Sequence, residues 1–270
     1  MKKLVSTLLT AVLALGLLAS CGSKTEDTNS AVIKVGASPA PHAEILEVVK
    51  DELAKQDIDL EIVEFTDYIQ PNEAVESGDI DANYFQHITY LNNFNTEHGT
   101  HLVSVGAIHY EPFGIYAGTS SSLTDLPAGA KIGIPNDPTN GGRALLLLAE
   151  QGLITLPEDC GLEPTVLDVV DDGGFELVEM EAAQLPRSLD SLDLAVINGN
   201  YAIQAGLKVS EALAIEAADG AAGTAYANVL AVKEGTEDNE NIKALTAALQ
   251  SDAVKDYIEN TYDGAVVPAF

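Results

Sequence analysis

The order in which strand and helix signals alternate constrains this chain more than any other feature. Residues 31–36 form an apolar, β-branched run, and after the helix-starting Pro41 and His42 the residues Ile45, Leu46, Val48, Val49 and Leu53 recur at helical spacing. A strand at 60–65, a short helix entered through Pro71, a strand at 80–85, a helix through Leu91 and Phe94, and one or two strands within 101–116 follow. This is the βαβ rhythm of a parallel sheet with helices on its faces. After a Pro/Gly connection at 123–130 the rhythm restarts with a strand at 131–134 and a helix at 141–151. Strands at 165–170, 175–180 and 192–197 are expected next, with helical segments near 181–185 and 201–205. A last strand at 227–232 and one helix over 239–262 close the chain, with Ile242, Leu245, Leu249, Val254 and Ile258 near the 3.6-residue period.

Two α/β units of similar size with a strand and a helix left over predict a two-lobed chain that crosses twice between lobes, near 117–123 and 223–228. Lobe 1 would hold residues 31–117 plus 228–270, and lobe 2 residues 118–227. Ligands of such sheets sit outside the carboxyl ends of the strands, and a cleft between lobes is a favoured place for them.

The N-terminus sets the compartment. Lys2 and Lys3 precede an uncharged, mostly apolar run at 4–18, and Leu18-Ala19-Ser20-Cys21 follows, the layout of a secretory signal peptide over residues 1–20. The run falls short of the roughly 20 apolar residues that span a bilayer. A small-residue cleavage site ending on cysteine resembles the bacterial lipobox, so Cys21 reads as the lipid attachment site. Residues 21–30 read as a flexible tether, too polar to order themselves. The chain's other cysteine, Cys160, then has no partner, so a disulfide framework is not expected and Cys160 reads as a small structural residue.

Loss of residues 1–20 removes two lysines and no acid, which takes the formal charge from -29 to about -31. Nucleic acid and anionic membrane surfaces are poor partners for so acidic a body. Cationic groups are scarce: the only arginines are Arg143 and Arg187. An anionic ligand group would have to be met by a very local arrangement.

The segment Ile134-Pro135-Asn136-Asp137-Pro138-Thr139-Asn140-Gly141-Gly142-Arg143 joins a buried strand to a helix. A helix opening there aims backbone N–H groups at the turn, and an arginine in its first turn opposes the helix dipole, a cost that makes sense if Arg143 holds an anion such as a carboxylate. Tyr68, Phe85, His87 and Tyr90 gather near strand ends in a chain with six Phe, nine Tyr and no Trp. They read equally as a pocket lining or as ordinary core aromatics. Asn198, Asn200 and Asn228 lie where strands turn or the chain crosses back. An asparagine amide can receive an ammonium through oxygen and a carboxylate through nitrogen, though it is also a common turn residue.

Together, residues 36–47, 65–90, 134–148 and 194–201 resemble the methionine-binding lipoproteins of the NlpA/MetQ type, and the likeness runs from about Ile33 to the end. The resemblance implies an α/β, two-lobed, type II periplasmic-binding-protein-like fold with a double crossover hinge. It implies a monomeric, cofactor-free protein, lipid-anchored on the extracytoplasmic face of the cell membrane, that captures L-methionine for an ABC permease and its ATPase subunit. By that resemblance Arg143 would clamp the carboxylate, and Asn198 and Asn228 would hold the amino and carboxylate groups, with Asn200 competing for the place of Asn198. Tyr68, Phe85, His87 and Tyr90 would surround the thioether.

Other readings are weaker. His98 and His101 have a ligand-like spacing for a metal-binding importer, but they sit beside a glycine in a loop and zinc needs three or four convergent ligands. No Gly-x-Ser-x-Gly elbow or P-loop is present, so no enzyme is expected. Another small amino acid or a methionine derivative stays open as ligand, because an apolar pocket rejects a missing methylene by only about 1 to 3 kcal/mol.

Overall fold

The computed structural model describes residues 30–217 and 221–270. The signal segment, Cys21 and all of the tether except Ser30 lie outside them. Among the described residues no helix is long and apolar enough to cross a membrane.

The first unit runs β1 (Ala31–Ala37), α1 (Glu44–Ala54), β2 (Ile58–Glu64), α2 (Gln70–Ser77), β3 (Ala82–His87), α3 (Ile88–His98) and β4 (Leu102–Tyr110). The second runs β5 (Gly114–Ala117), β6 (Lys131–Pro135), α4 (Pro138–Glu150), β7 (Glu176–Met180), β8 (Leu194–Ile197), α5 (Gly199–Gln204) and β9 (Ala214–Ile215). After α6 (Ala221–Ala225), the chain returns through β10 (Ala227–Lys233), α7 (Glu240–Leu249), α8 (Asp252–Thr261) and β11 (Val267–Pro268).

Two sheets result. The first has the order β11-β4-β10-β3-β1-β2, and the second β7-β6-β8-β5-β9. Strands β2, β1 and β3 are parallel, while β10 lies antiparallel between β3 and β4. In the second sheet β7, β6 and β8 are parallel and β5 is antiparallel to β8. Parallel strands covered on both faces are buried throughout, as all six residues of β3 are. One face of the first sheet packs on α1, α7 and α8 through Ile45, Leu46, Leu245, Leu249, Val254 and Ile258; the other packs on α2 and α3 through Val75 and Leu91.

Three local expectations change. Residues 165–170 are not a strand: Thr165 and Asp168 form a reciprocal capping box around a 3-10 turn, and Leu167 points outward at 91% exposure. The terminal helix is two helices, because the Ser251 side chain accepts the Val254 N–H and starts α8 afresh. Strand β5 pairs with β8, so Gly114–Ala117 belongs to the second sheet although the sequence reading kept residues up to 117 with lobe 1. The first crossing is therefore at 111–113, Glu111-Pro112-Phe113, too short a segment for a change in composition to mark the change of sheet. The return falls between Ile215 and Ala227.

Candidate binding site

The carboxyl ends of β3, β6 and β8 and the start of β10 converge on one cavity. All seven residues singled out for a ligand line it: Tyr68, Phe85, His87, Tyr90, Arg143, Asn198 and Asn228. Asn200, the competitor of Asn198, lines it too, as do Gln86, Glu111, Asn140 and Gly199.

The aromatic wall comes from the first unit and its facing helix. Tyr68 lies 5.8 Å from Phe85 and 5.7 Å from Tyr90 between ring centres, and stacks on Tyr201 of α5 at 4.9 Å. The Tyr90 hydroxyl donates to the Tyr68 carbonyl at 3.0 Å, which holds the loop carrying Tyr68 against α3. His87 ends β3 and caps α3: its Nδ1 accepts the Tyr90 backbone N–H at 3.0 Å, so the ring proton is on Nε2, which donates to Asn140 Oδ1 at 3.2 Å. Burial, reinforced by the Arg143 charge, lowers the His87 pKa to about 3, so this imidazole is neutral near pH 7.

Asn140 links the two units. Besides the His87 bond, its Oδ1 accepts from Asn198 Nδ2 at 2.7 Å, while its own Nδ2 donates to Asp137 at 3.0 and 3.1 Å. Asp137 also caps α4 by accepting the Asn140 backbone N–H at 2.9 Å. The helix thus begins at Pro138, three residues before the expected Gly141, and Arg143 falls beyond the first turn. The dipole cost inferred from sequence does not apply there.

Arg143 is 4% exposed and its guanidinium is heavily used. Nε donates to both oxygens of Glu216 at 3.0 and 3.1 Å, and Nη2 donates to Glu216 at 2.5 Å and to the Glu111 carbonyl at 2.9 Å. Its Cζ lies 4.2 Å from the Tyr226 ring centre and 4.8 Å from that of Phe113. The two-toothed carboxylate pair expected from sequence exists, but the carboxylate is the chain's own Glu216. Nη1 is the one guanidinium nitrogen without a hydrogen bond among the described residues.

Three amides are oriented by their partners. His42 Nε2 donates to Asn228 Oδ1 at 3.0 Å, so Asn228 offers the cavity its N–H groups. The Tyr68 hydroxyl donates to Asn200 Oδ1 at 2.6 Å, leaving Asn200 Nδ2 buried without a partner among the described residues. Asn198 sits at the cap position of α5 without capping it, and its Oδ1 is likewise buried and unpartnered. Buried polar atoms are normally hydrogen-bonded, so an unpaired acceptor and an unpaired donor in one wall point to a ligand carrying both complements.

Behind the cavity, His109 Nε2 donates to Glu111 Oε1 at 2.8 Å and its Nδ1 accepts a hydrogen bond from the Tyr84 hydroxyl. His42, His109 and Glu111 bring metal-ligand atoms within 4.8 Å of one another, a grouping sequence spacing did not reveal. Each already has a hydrogen-bond partner inside the protein. His98 and His101 do not join them: His98 stacks on Phe94 and His101 faces Glu76.

Glu111, Asn140 and Glu216 were missed in the sequence. Asn140 lay inside the segment already read as a binding turn, whereas one glutamate in a chain with 42 acidic residues carries no signal until the fold buries it.

The NlpA lipoprotein family model matches residues 33–270. The D-methionine-binding lipoprotein MetQ of Salmonella typhimurium is 42% identical over 255 residues, 93% of this chain and 92% of that one. A nutrient binding protein from Burkholderia cenocepacia, solved bound to methionine, superposes with a TM-score of 0.83 at 41% identity, covering 88% of this chain and 100% of the other. An ABC transporter periplasmic substrate-binding protein from Coxiella burnetii gives a TM-score of 0.82 at 39% identity over 87% and 99%. With two α/β sheets joined by two crossings and arranged as in these periplasmic-binding-protein-like structures, the chain belongs to the NlpA lipoprotein family.

Proposed function

We propose that this protein is the substrate-binding component of an ABC importer, held at the outer face of the cell membrane by lipid on Cys21, and that it captures free methionine between its two lobes for delivery to the permease. The lobes would be residues 31–110 with 227–270, and 114–215, closing about the two crossings. One observation carries the reading: a single cavity joins an apolar wall of four aromatic rings to donors and acceptors whose complements are missing in the protein. In this reading Arg143 Nη1 and the amide N–H groups of Asn228 and Asn200 meet the carboxylate, and Asn198 Oδ1 accepts from the amino group. Tyr68, Phe85, His87 and Tyr90 surround the thioether, each sulfur–ring contact contributing about 0.3 to 1.5 kcal/mol. Among the described residues that line the cavity there is no serine, threonine or cysteine to pair with a base, which supports capture over turnover.

Native mass spectrometry of protein purified without refolding, followed by calorimetry against L-methionine, D-methionine, norleucine and methionine sulfoxide, tests this. One methionine per chain is expected, with affinity lost in Arg143→Ala. A different bound compound, or undiminished affinity in that variant, overturns the reading.

A further inference from the structure

Strand β3 carries one residue more than the strand it faces. On β10, Val229 pairs with Gln86 and Leu230 with Tyr84, so Phe85 between them is opposite no residue and forms a β-bulge; pairing with β1 has already ended at Tyr84. The bulge changes which side chains share a face. Asn83 and Gln86 are three residues apart, and in an unbroken strand, where side chains alternate, they would point to opposite faces. Here Gln86 Nε2 donates to Asn83 Oδ1 at 2.9 Å. Phe85, the extra residue, lines the ligand cavity.

A third amide closes the group. Asn72, in the first turn of α2, accepts at Oδ1 from Gln86 Nε2 at 2.6 Å and from Asn83 Nδ2 at 2.9 Å, and its own Nδ2 donates to Gln86 Oε1 at 2.9 Å. Asn83 Nδ2 also donates to the Pro71 carbonyl at 3.1 Å. All three side chains are buried, and every oxygen and nitrogen of the three amides has a partner. A buried polar network completed in this way rigidifies what it joins, whereas one missing a member leaves unpaired groups in the core. What it joins is the aromatic wall. Helix α2 begins at Gln70, two residues after Tyr68, and the Asp67 carboxylate stiffens that connection by accepting the Ile69 and Gln70 backbone N–H groups at 2.8 Å. The Tyr68 ring centre lies 5.8 Å from that of Phe85.

We infer that the amide cluster of Asn72, Asn83 and Gln86 sets the length of ligand side chain the protein accepts, by holding the bulge that presents Phe85 and the loop that presents Tyr68 at one fixed separation. Asn72 and Asn83 are positioning residues: neither lines the cavity, and both act through the two rings, while Gln86 reaches the cavity itself. Apolar side chains could fill the same space, but they would not fix which residue of β3 is the extra one, and a slip by one position would turn Phe85 to the other face. Preorganised walls of this kind hold a site to within a fraction of an ångström. The assignment rests on the methionine reading above and adds the device that decides how long a side chain fits.

Calorimetry with L-methionine and with L-ethionine, which is one methylene longer, tests it in the wild type and in Asn83→Ala. The wild type is expected to bind methionine at least about 10-fold more tightly, because an added methylene in a rigid, filled pocket must displace its walls. In Asn83→Ala methionine is expected to weaken by about 10-fold and the preference over ethionine to shrink to about 3-fold or less, because the walls yield. Asn72→Ser, which keeps a hydroxyl within the cluster, is the milder second variant should Asn83→Ala fail to fold, and its preference should fall between the other two. A variant that weakens both ligands while the preference stays at the wild-type value makes the cluster a general support of the fold and overturns the positioning role alone. Equal affinities for the two ligands in the wild type overturn it without any variant. A wild type that binds neither overturns the methionine reading and the assignment with it.

Discussion

Arg143 of α4 and Glu216, just after β9, form a part-buried two-toothed ion pair that spans 73 residues of sequence, and the Tyr110 hydroxyl at the end of β4 donates to the same Glu216 carboxylate. Three chain segments at the crossings between the sheets are tied at this one carboxylate. Glu216→Gln leaves a guanidinium buried without its charge partner, which costs about 3 kcal/mol when such a pair is broken from one side. Urea unfolding should register that loss, and calorimetry should show weaker ligand binding, because Nη1 loses the anchor that aims it. A variant as stable as the wild type would show that the pair is not formed in solution.

Stability should fall on mild acidification. In the folded chain burial holds His42 near pKa 4 and His87 and His109 near 3, against the ordinary 6.5 of a solvated imidazole. The unfolded chain takes up protons around pH 6.5 that the folded one refuses until about pH 4 to 3, so this stabilisation is complete above pH 6.5 and is lost as pH falls through 4. Glu111 and Asp137, whose carboxyls burial raises, act in the opposite direction and make the slope shallower. A urea midpoint that drops steadily between pH 6.5 and 4.5 is expected. A flat profile would contradict neutral burial of the three rings.

Gly199→Ala places a methyl group 2.6 Å from one oxygen of Glu111 and 2.7 Å from its Cβ. Neither α5 nor the strand end bearing Glu111 can yield freely, since both are packed, so the change should cost about 1 to 3 kcal/mol of stability by overpacking. The informative readout is the ligand: methionine affinity should fall at least about 10-fold, beyond what the stability loss explains, because the carboxylate is turned. Wild-type affinity in this variant would mean that the Glu111 oxygens do not face the ligand.

Chelation separates the amino-acid reading from the metal one. His42, His109 and Glu111 are close enough to hold an ion, yet hydrogen bonds within the protein already use Nε2 of both imidazoles and one carboxylate oxygen. Dialysis against a strong chelator should leave both the urea midpoint and methionine affinity unchanged. A fall in either, restored by a stoichiometric divalent cation, would make the cluster a metal centre.

Much of this was legible in the sequence because period and punctuation are local. The alternation of 2.0 and 3.6 periods announced the parallel strands and their helices, and the run from Asn136 to Arg143 announced a turn with a function. At position 167 local propensity loses: Val-Leu between Thr and Asp has strand character, but the capping box formed by Thr165 and Asp168 outweighs it, and Leu167 is left to solvent. The site divides in the same way. Arg143 and the asparagines were visible because scarce or turn-forming residues stand out, whereas Glu111 and Glu216 gain meaning only when chain segments far apart bring them against a guanidinium and two imidazoles. Long-range pairing of common residues leaves no local trace.

The insertion of β10 between β3 and β4 also bears on how the molecule is made. Neither neighbour can complete its hydrogen-bond ladder without a strand that lies more than a hundred residues later in the chain. A polypeptide delivered N-terminus first can finish its second sheet while the first is still open at the centre. The earliest-made unit is thus the last to mature, and a truncation before Lys233 would leave it with an unzipped middle prone to pairing with other chains.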